Sequence, residues 1–261
     1  MLSPNFFNTI FVFPILNILV LFYSAFLFLK LPGAFGFAII ALTAFVRILL
    51  QPFFHKQMST AKKMQDLKPH LDKLADKHKG DKARLQQEQL KLYQQEGINP
   101  ASGCLFLIIQ IPIFIALYTT LRIFLLNTDM VKAIAGINKV LYFPALKIST
   151  LDPWFLGFNL GFTPQKAGVW YYYLIPLLTA FLQYYQVQVS MPKQPAKEDK
   201  NIVKEKDNAG DFQKAMNTQM KFIFPILIGW FSFTLPVGLS LYWNIFSIFS
   251  IIQYRNLQKN G

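Results

Sequence analysis

Apolar positions gather into long blocks along this chain, at 33–54, 103–125, 169–188, 221–236 and 238–256. Each is near the roughly 20 residues that carry a helix across about 30 Å of hydrocarbon. The pattern predicts five membrane-spanning helices. Leu235-Pro236-Val237-Gly238 separates the last two, which predicts a tight turn between antiparallel spans. Residues 57–97 follow another rule. Met64, Leu67, Leu71, Leu74 and His78 recur every three or four positions, Gly80-Asp81 interrupts them, and Leu85, Leu92 and Tyr93 resume them among Lys, Asp, Gln and Glu. That periodicity predicts two amphipathic helices folded back on each other outside the membrane. Residues 192–211 show no such period and read as a flexible loop.

Charge orients the spans. Of 261 residues, 53% are hydrophobic and only 15% charged, and the 27 Phe outnumber all 13 Asp and Glu. The formal net charge of +13 is concentrated in 56–91, 193–221 and the last residues. By the positive-inside rule these segments are cytoplasmic. The extracytoplasmic stretch 126–168 keeps only Lys132, Lys139, Lys147 and Lys166. Residues 5–29 are also apolar enough to span. Crossing outside-to-inside would put the most basic segment outside, which the charge bias opposes; two arrangements remain, a crossing from inside to outside and a helix lying along the outer face. No basic n-region precedes this run, so no cleavable signal peptide is expected.

Within the spans the chemistry is sparse. No Asp, Glu or His falls in the five blocks, which argues against a hydrolytic triad and a carboxylate or histidine proton relay. There is no phosphate-cradling Gly-rich loop, no zinc-ligand spacing, and Cys104 is the lone cysteine. Neither an enzyme nor a cofactor is expected. Arg122, Lys221 and Arg255 lie within three residues of a block end, but one permanent charge sits well inside a span: Arg47, in LTAFVRILLQP, with Thr43 one turn earlier on the same helix face. A guanidinium there costs roughly 2.5–3.5 kcal/mol even on lenient insertion scales. It lies about 10 Å of helix rise from Phe54, too deep for easy snorkelling. Arg47 is therefore expected to face a wet cavity, lined by polar side chains such as Gln110 and the Ser240, Tyr242, Trp243, Asn244 and Ser247 group. A cavity with a cation and no acids attracts anionic or strongly polar material. A small-anion transporter would also use such an arginine, but no inverted repeat or broken-helix pair is visible. A nucleic-acid or lipid binder would account for the basic balance, yet the lysines of 56–91 alternate with acids, as on a solvated helix surface; no specific nucleic-acid partner is expected.

Four blocks in order, FGFAIIALTAFVRILLQPFFHKQ, KMQDLKPHLDKL, LYQQEGINPASGCLFLIIQIPIFIALY and FPILIGWFSFTLPVGLSLYW, resemble the YidC membrane protein insertase family, bacterial relatives of the mitochondrial and chloroplast oxidase-assembly insertases. The likeness runs from about 13 to 256. It implies an all-α polytopic membrane protein with five core transmembrane helices around a hydrophilic groove that is closed to the outside. It also implies an interfacial helix before them, within 1–32, and a cytoplasmic helical hairpin over 55–102. The spans become 33–54, 103–125, 169–188, 221–236 and 237–256, with an extracytoplasmic loop at 126–168, a cytoplasmic loop at 189–220 and a cytoplasmic C-terminal tail at 257–261. The family's groove arginine corresponds to Arg47, its threonine to Thr43 and its aromatic pair to Tyr242 and Trp243; Gln110 and Asn244 complete the expected substrate groove. The implied function is insertion and folding of nascent membrane proteins in the bacterial plasma membrane without nucleotide hydrolysis. Its partners are the nascent chain, the lipid bilayer, the ribosome and the Sec translocon. Phe106 stands where the family usually has proline, and Thr234-Leu235-Pro236-Val237 replaces a more usual Phe-Pro-Ser. The ending NLQKNG lacks a long basic extension, which weakens the expectation of independent ribosome docking.

Overall fold

The computed structural model describes residues 2–78, 80–98, 102–125, 129–190 and 219–260. The predicted loop 192–211 and Asn99-Pro100-Ala101 of the NPASGC element lie outside the described residues. The chain is mostly helical and divides into two compact units, Met1–Arg47 with Ile113–Gly261, and Ile48–Pro112.

The larger unit opens with α1, Asn8–Phe28, whose first turn Asn8–Val12 is wound as a π-helix. Next comes α2, Ala34–Leu49. Aromatic packing ties these together: the Phe35 ring meets Tyr23 edge-on at 5.7 Å and lies 5.3 Å from Phe124. The core continues through the fully buried Leu16, Leu19, Ile39, Leu117 and Leu121.

In the smaller unit, the predicted first span does not run unbroken to residue 54. The chain turns at Leu50 and restarts as α3, Gln51–Asp66, with Pro52 in its first turn, where a missing N–H costs no hydrogen bond. Pro69 has the same effect in α4, Lys68–Lys77. Gly80, at φ +96°, then reverses the chain. The Asp81 side chain caps α5, Lys82–Gln95, through the Arg84 N–H at 3.0 Å. α4 packs against α5 across the turn at Gly80-Asp81. Lys91 and Glu88 pair across one turn of α5 at 2.9 Å, and the Lys91 ammonium holds the Glu88 carboxyl below its ordinary range.

A long helix follows, α6, Ser102–Leu125. After it α7, Met130–Lys139, begins under an Asp129 cap. Strands β1, Trp154–Phe155, and β2, Phe158–Asn159, then form a minimal antiparallel hairpin in which Phe155 faces Phe158. Its two turn residues, Leu156 and Gly157, both have positive φ, 48° and 83°. Such a turn matches the strand twist and favours Asn-Gly; a leucine in the left-handed region costs roughly 1–2 kcal/mol. Short α8, Pro164–Ala167, and the turn Trp170–Tyr173 lead into α9, Leu174–Ser190.

α10, Phe224–Thr234, and α11, Val237–Asn260, complete the unit. Leu235 and Pro236 join them, but the two pack mainly against α9 rather than against each other. Closeness is possible because Gly229 faces Ala180: a Cβ there would stand 2.9 Å from the alanine methyl. Small residues at such crossings let backbones approach in lipid.

By length and composition α1 and Val237–Asn256 qualify as membrane spans, and α2 with α3 would make a third if they form one interrupted span. The protein is a membrane protein.

Candidate functional site

The site is built from α2 and α11. Thr43 and Arg47 lie four residues apart and are both buried. Thr43 turns its hydroxyl back onto its own helix, donating to the Ile39 carbonyl at 2.7 Å. Arg47 is only 4% exposed. One guanidinium nitrogen donates to the Phe246 carbonyl at 3.1 Å and to the Ser250 hydroxyl, and the group lies 4.0 Å from the centre of the Phe246 ring. Ser250 donates to the same carbonyl at 2.9 Å. A charge-assisted hydrogen bond and a desolvated cation over an aromatic face both offset the loss of water around a guanidinium.

The rest of the site follows the helical period of α11. Tyr242, Phe246 and Ser250 occupy successive turns, and the Tyr242 ring sits 5.9 Å from that of Phe246. Trp243 turns toward α6, stacking on Phe114 at 5.9 Å with an 8° angle between the planes. Ser240, Asn244 and Ser247 form a buried polar stripe. Asn244 Oδ1, Ser247 Oγ and, on α6, Thr120 Oγ1 find no hydrogen-bond partner among the described residues. A buried polar atom left without a partner costs about 1–3 kcal/mol, so each of these positions favours a water molecule or a polar guest.

At the other end of the stripe, three fully buried hydroxyls join three helices. Ser232 of α10 donates to Thr179 of α9 at 3.2 Å and shares a 2.7 Å hydrogen bond with Ser240 of α11.

Of the residues expected to line a groove, Thr43, Arg47, Tyr242, Trp243 and Asn244 therefore belong to one unit. Arg47 reaches the α11 turn that follows Tyr242. Gln110 belongs to the other unit and is half-buried there. Phe246, Ser250, Thr120, Thr179 and Ser232 escaped the sequence reading. The serine recurrence through 240, 247 and 250 within an apolar block was the available signal for Ser250.

The model of the 60Kd inner membrane protein family matches residues 26–261. The chain belongs to this family. Among its relatives, the membrane protein insertase YidC of Oceanobacillus iheyensis is 31% identical over 98% of this chain and 85% of its own length. The YidC insertase of Caulobacter vibrioides is 33% identical over 95% of this chain and 37% of its own. The inner membrane ALBINO3-like protein 2 of Chlamydomonas reinhardtii chloroplasts is 30% identical over 88% of this chain and 51% of its own. The chain thus spans about half of the chloroplast relative and less of the Caulobacter one, but most of the Oceanobacillus protein.

Proposed function

We infer that this protein is a membrane protein insertase of the bacterial plasma membrane, acting on nascent membrane proteins. The observation that carries its mechanism is the buried guanidinium of Arg47, held by a backbone carbonyl and a serine of α11, the helix on which Asn244 Oδ1 and Ser247 Oγ find no hydrogen-bond partner among the described residues. An insertase must move a hydrophilic flank past hydrocarbon, where every unsatisfied peptide group costs several kcal/mol. A polar groove holding Arg47, Thr43, Tyr242, Trp243 and Asn244 shortens the dry path and gives an acidic or polar flank a temporary partner. The drive is the partitioning of the substrate's own apolar segment into lipid, about 25 cal/mol per Å² removed from water. The reaction then needs no nucleotide and no cofactor.

Five spans form the core in this reading: α2, α6, α9, α10 and α11, with the 55–102 hairpin, the 189–220 loop and the C-terminus in the cytoplasm. The hairpin receives the incoming chain, from the ribosome or beside the Sec translocon. α1 lies along the outer face instead of crossing. Its support is a pair of anchors six residues apart, or about 9 Å of helix rise. Asn17 donates to the Val140 carbonyl at 3.0 Å and accepts from the Tyr142 N–H at 2.7 Å. The Tyr23 hydroxyl meets the Thr150 carbonyl at 3.4 Å and the Asp152 N–H at 3.2 Å. A helix sutured along its middle to a segment carrying Lys147 and Asp152 shares the wet environment of that segment.

Cell-free synthesis of a single-span protein with an acidic translocated tail, in liposomes bearing this protein, tests the reading through protease protection of the tail. Arg47→Ala is expected to cut protection roughly tenfold or more, corresponding to about 1.4 kcal/mol or more. Arg47→Lys, retaining charge without the planar fork, is expected to fall between. Equal protection by all three forms would defeat the electrostatic mechanism, and protection by none would defeat the insertase reading.

A further inference from the structure

We propose that the tip of the 154–159 hairpin is a lipid-dipping wedge: Leu156, together with the exposed Trp154 and Trp170, seats in the outer leaflet at the boundary between headgroups and acyl chains. The proposal starts from an oddity of placement. Leu156 takes a left-handed backbone conformation that asparagine or glycine adopts more readily, yet the residue is 78% exposed and so gains little from packing within the protein. Strain retained at an exposed apolar tip points to a gain made outside the protein.

The mounting is rigid. On one side of the tip Phe155 is buried against the start of α2, edge-on to Phe37 at 5.1 Å and so close to Gly33 and Gly36 that a Cβ on either would collide with its ring. On the other side Phe158 packs edge-on against Tyr171 and Tyr172, at 5.3 and 5.1 Å. The Tyr171 hydroxyl donates to the Gly157 carbonyl at 3.4 Å, and Tyr172 accepts from the Asn159 N–H at 2.6 Å. Trp170, 72% exposed, is the next ring in this aromatic body, 6.2 Å from Tyr171.

The depth of this body identifies the occupant. Immediately past the hairpin, the Leu160 and Phe162 carbonyls accept from Gly238 and Val237 at 2.8 and 2.9 Å, in the first turn of α11, a helix long and apolar enough to span. The Trp170–Tyr173 turn runs directly into α9. The exposed leucine and tryptophans are therefore tied to the ends of apolar helices, the level at which amphipathic rings settle in a bilayer. An aromatic rim around a fixed aliphatic tip suits that boundary, where one end of each indole is wet and the other apolar.

The test uses the full chain in a Cys104→Ser background, reconstituted into vesicles of phosphatidylethanolamine and phosphatidylglycerol. A nitroxide is attached at Leu156→Cys or, for comparison, at Lys166→Cys, an exposed polar position on neighbouring α8. Collision rates are then measured with oxygen, which concentrates in lipid, and with a water-soluble nickel chelate. The Leu156 label is expected to collide severalfold more with oxygen and severalfold less with chelate than the Lys166 label. Equal chelate access at both positions overturns the wedge by placing the tip in water. Shielding from both reagents also overturns it, since polypeptide and not lipid then covers the tip. A separate arm uses Leu156→Asn, which suits the turn. In detergent it is expected to melt no lower than the parent protein, whereas a clear drop would show that Leu156 packs on protein and would refute the proposal.

Discussion

Gly36 has no room for a methyl group. A Cβ there would fall 2.1 Å from the Phe155 ring, and the ring is held from behind by Phe37. Gly36→Ala is expected to destabilise the purified protein by several degrees in a thermal melt, within the roughly 1–3 kcal/mol typical of overpacking. Phe155→Ala should lower stability by about 3–5 kcal/mol as a cavity opens. The double variant should recover part of the loss, because the methyl then enters the emptied space; strict additivity would show that the two residues do not share it. Ser250 offers a finer test at the same scale. Ser250→Ala removes one acceptor from Arg47 and leaves the Phe246 carbonyl in place. Insertion of an acidic-tailed substrate should therefore suffer less than with Arg47→Ala, with stability changed by about 1 kcal/mol or less. A loss equal to that of Arg47→Ala would mean that Ser250 sets the position of the guanidinium.

Two elements depend on single polar caps and sutures. Asn17 satisfies a carbonyl and an N–H of the segment after α7, so Asn17→Leu leaves both without that partner. A cost of about 1–3 kcal/mol is expected. Limited proteolysis between 138 and 152 should speed up before global unfolding does; unchanged cleavage would show that the suture is dispensable. At the start of α7, Asp129 accepts from the Lys132 N–H at 3.1 Å and pairs with its ammonium at 3.0 Å. Both interactions hold the Asp129 carboxyl below its ordinary range, the backbone hydrogen bond contributing most. Because the folded state holds the proton more weakly, this support is complete above the unfolded value of about 3.9 and is lost as pH falls through the lower folded one. Hydrogen exchange in the first turn of α7, corrected for intrinsic rates, should show opening that grows only below about pH 4. Asp129→Asn keeps the cap but should abolish that pH dependence.

At the scale of the whole molecule, features read from neighbours in sequence were accessible early, and features made by distant segments were not. Apolar blocks of about 20 residues predict spans because the bilayer sets a length that contiguous residues must meet. The break at Gly80-Asp81 was likewise legible, since a three-to-four period interrupted by glycine is a local pattern. So was the presence of a buried charge at Arg47, because no arginine is cheap in an apolar helix. Its environment was not legible. The Phe246 carbonyl and Ser250 lie about two hundred positions further on, and nothing in the α2 period indicates which helix arrives beside it. The break at Leu50 shows the converse: continuous hydropathy hid a local turn, although Pro52 marked the place. The aromatic and glycine residues of 33–37 and 154–158 each look unremarkable alone, and become lock and key only when folding brings them together. Sequence thus settled which segments are apolar, where the charge sits and which family the chain belongs to. Tertiary packing chose the partner of Arg47, the mooring of α1 and the left-handed turn at Leu156. Those depend on contacts across more than a hundred residues, or on a backbone conformation that leucine on its own disfavours.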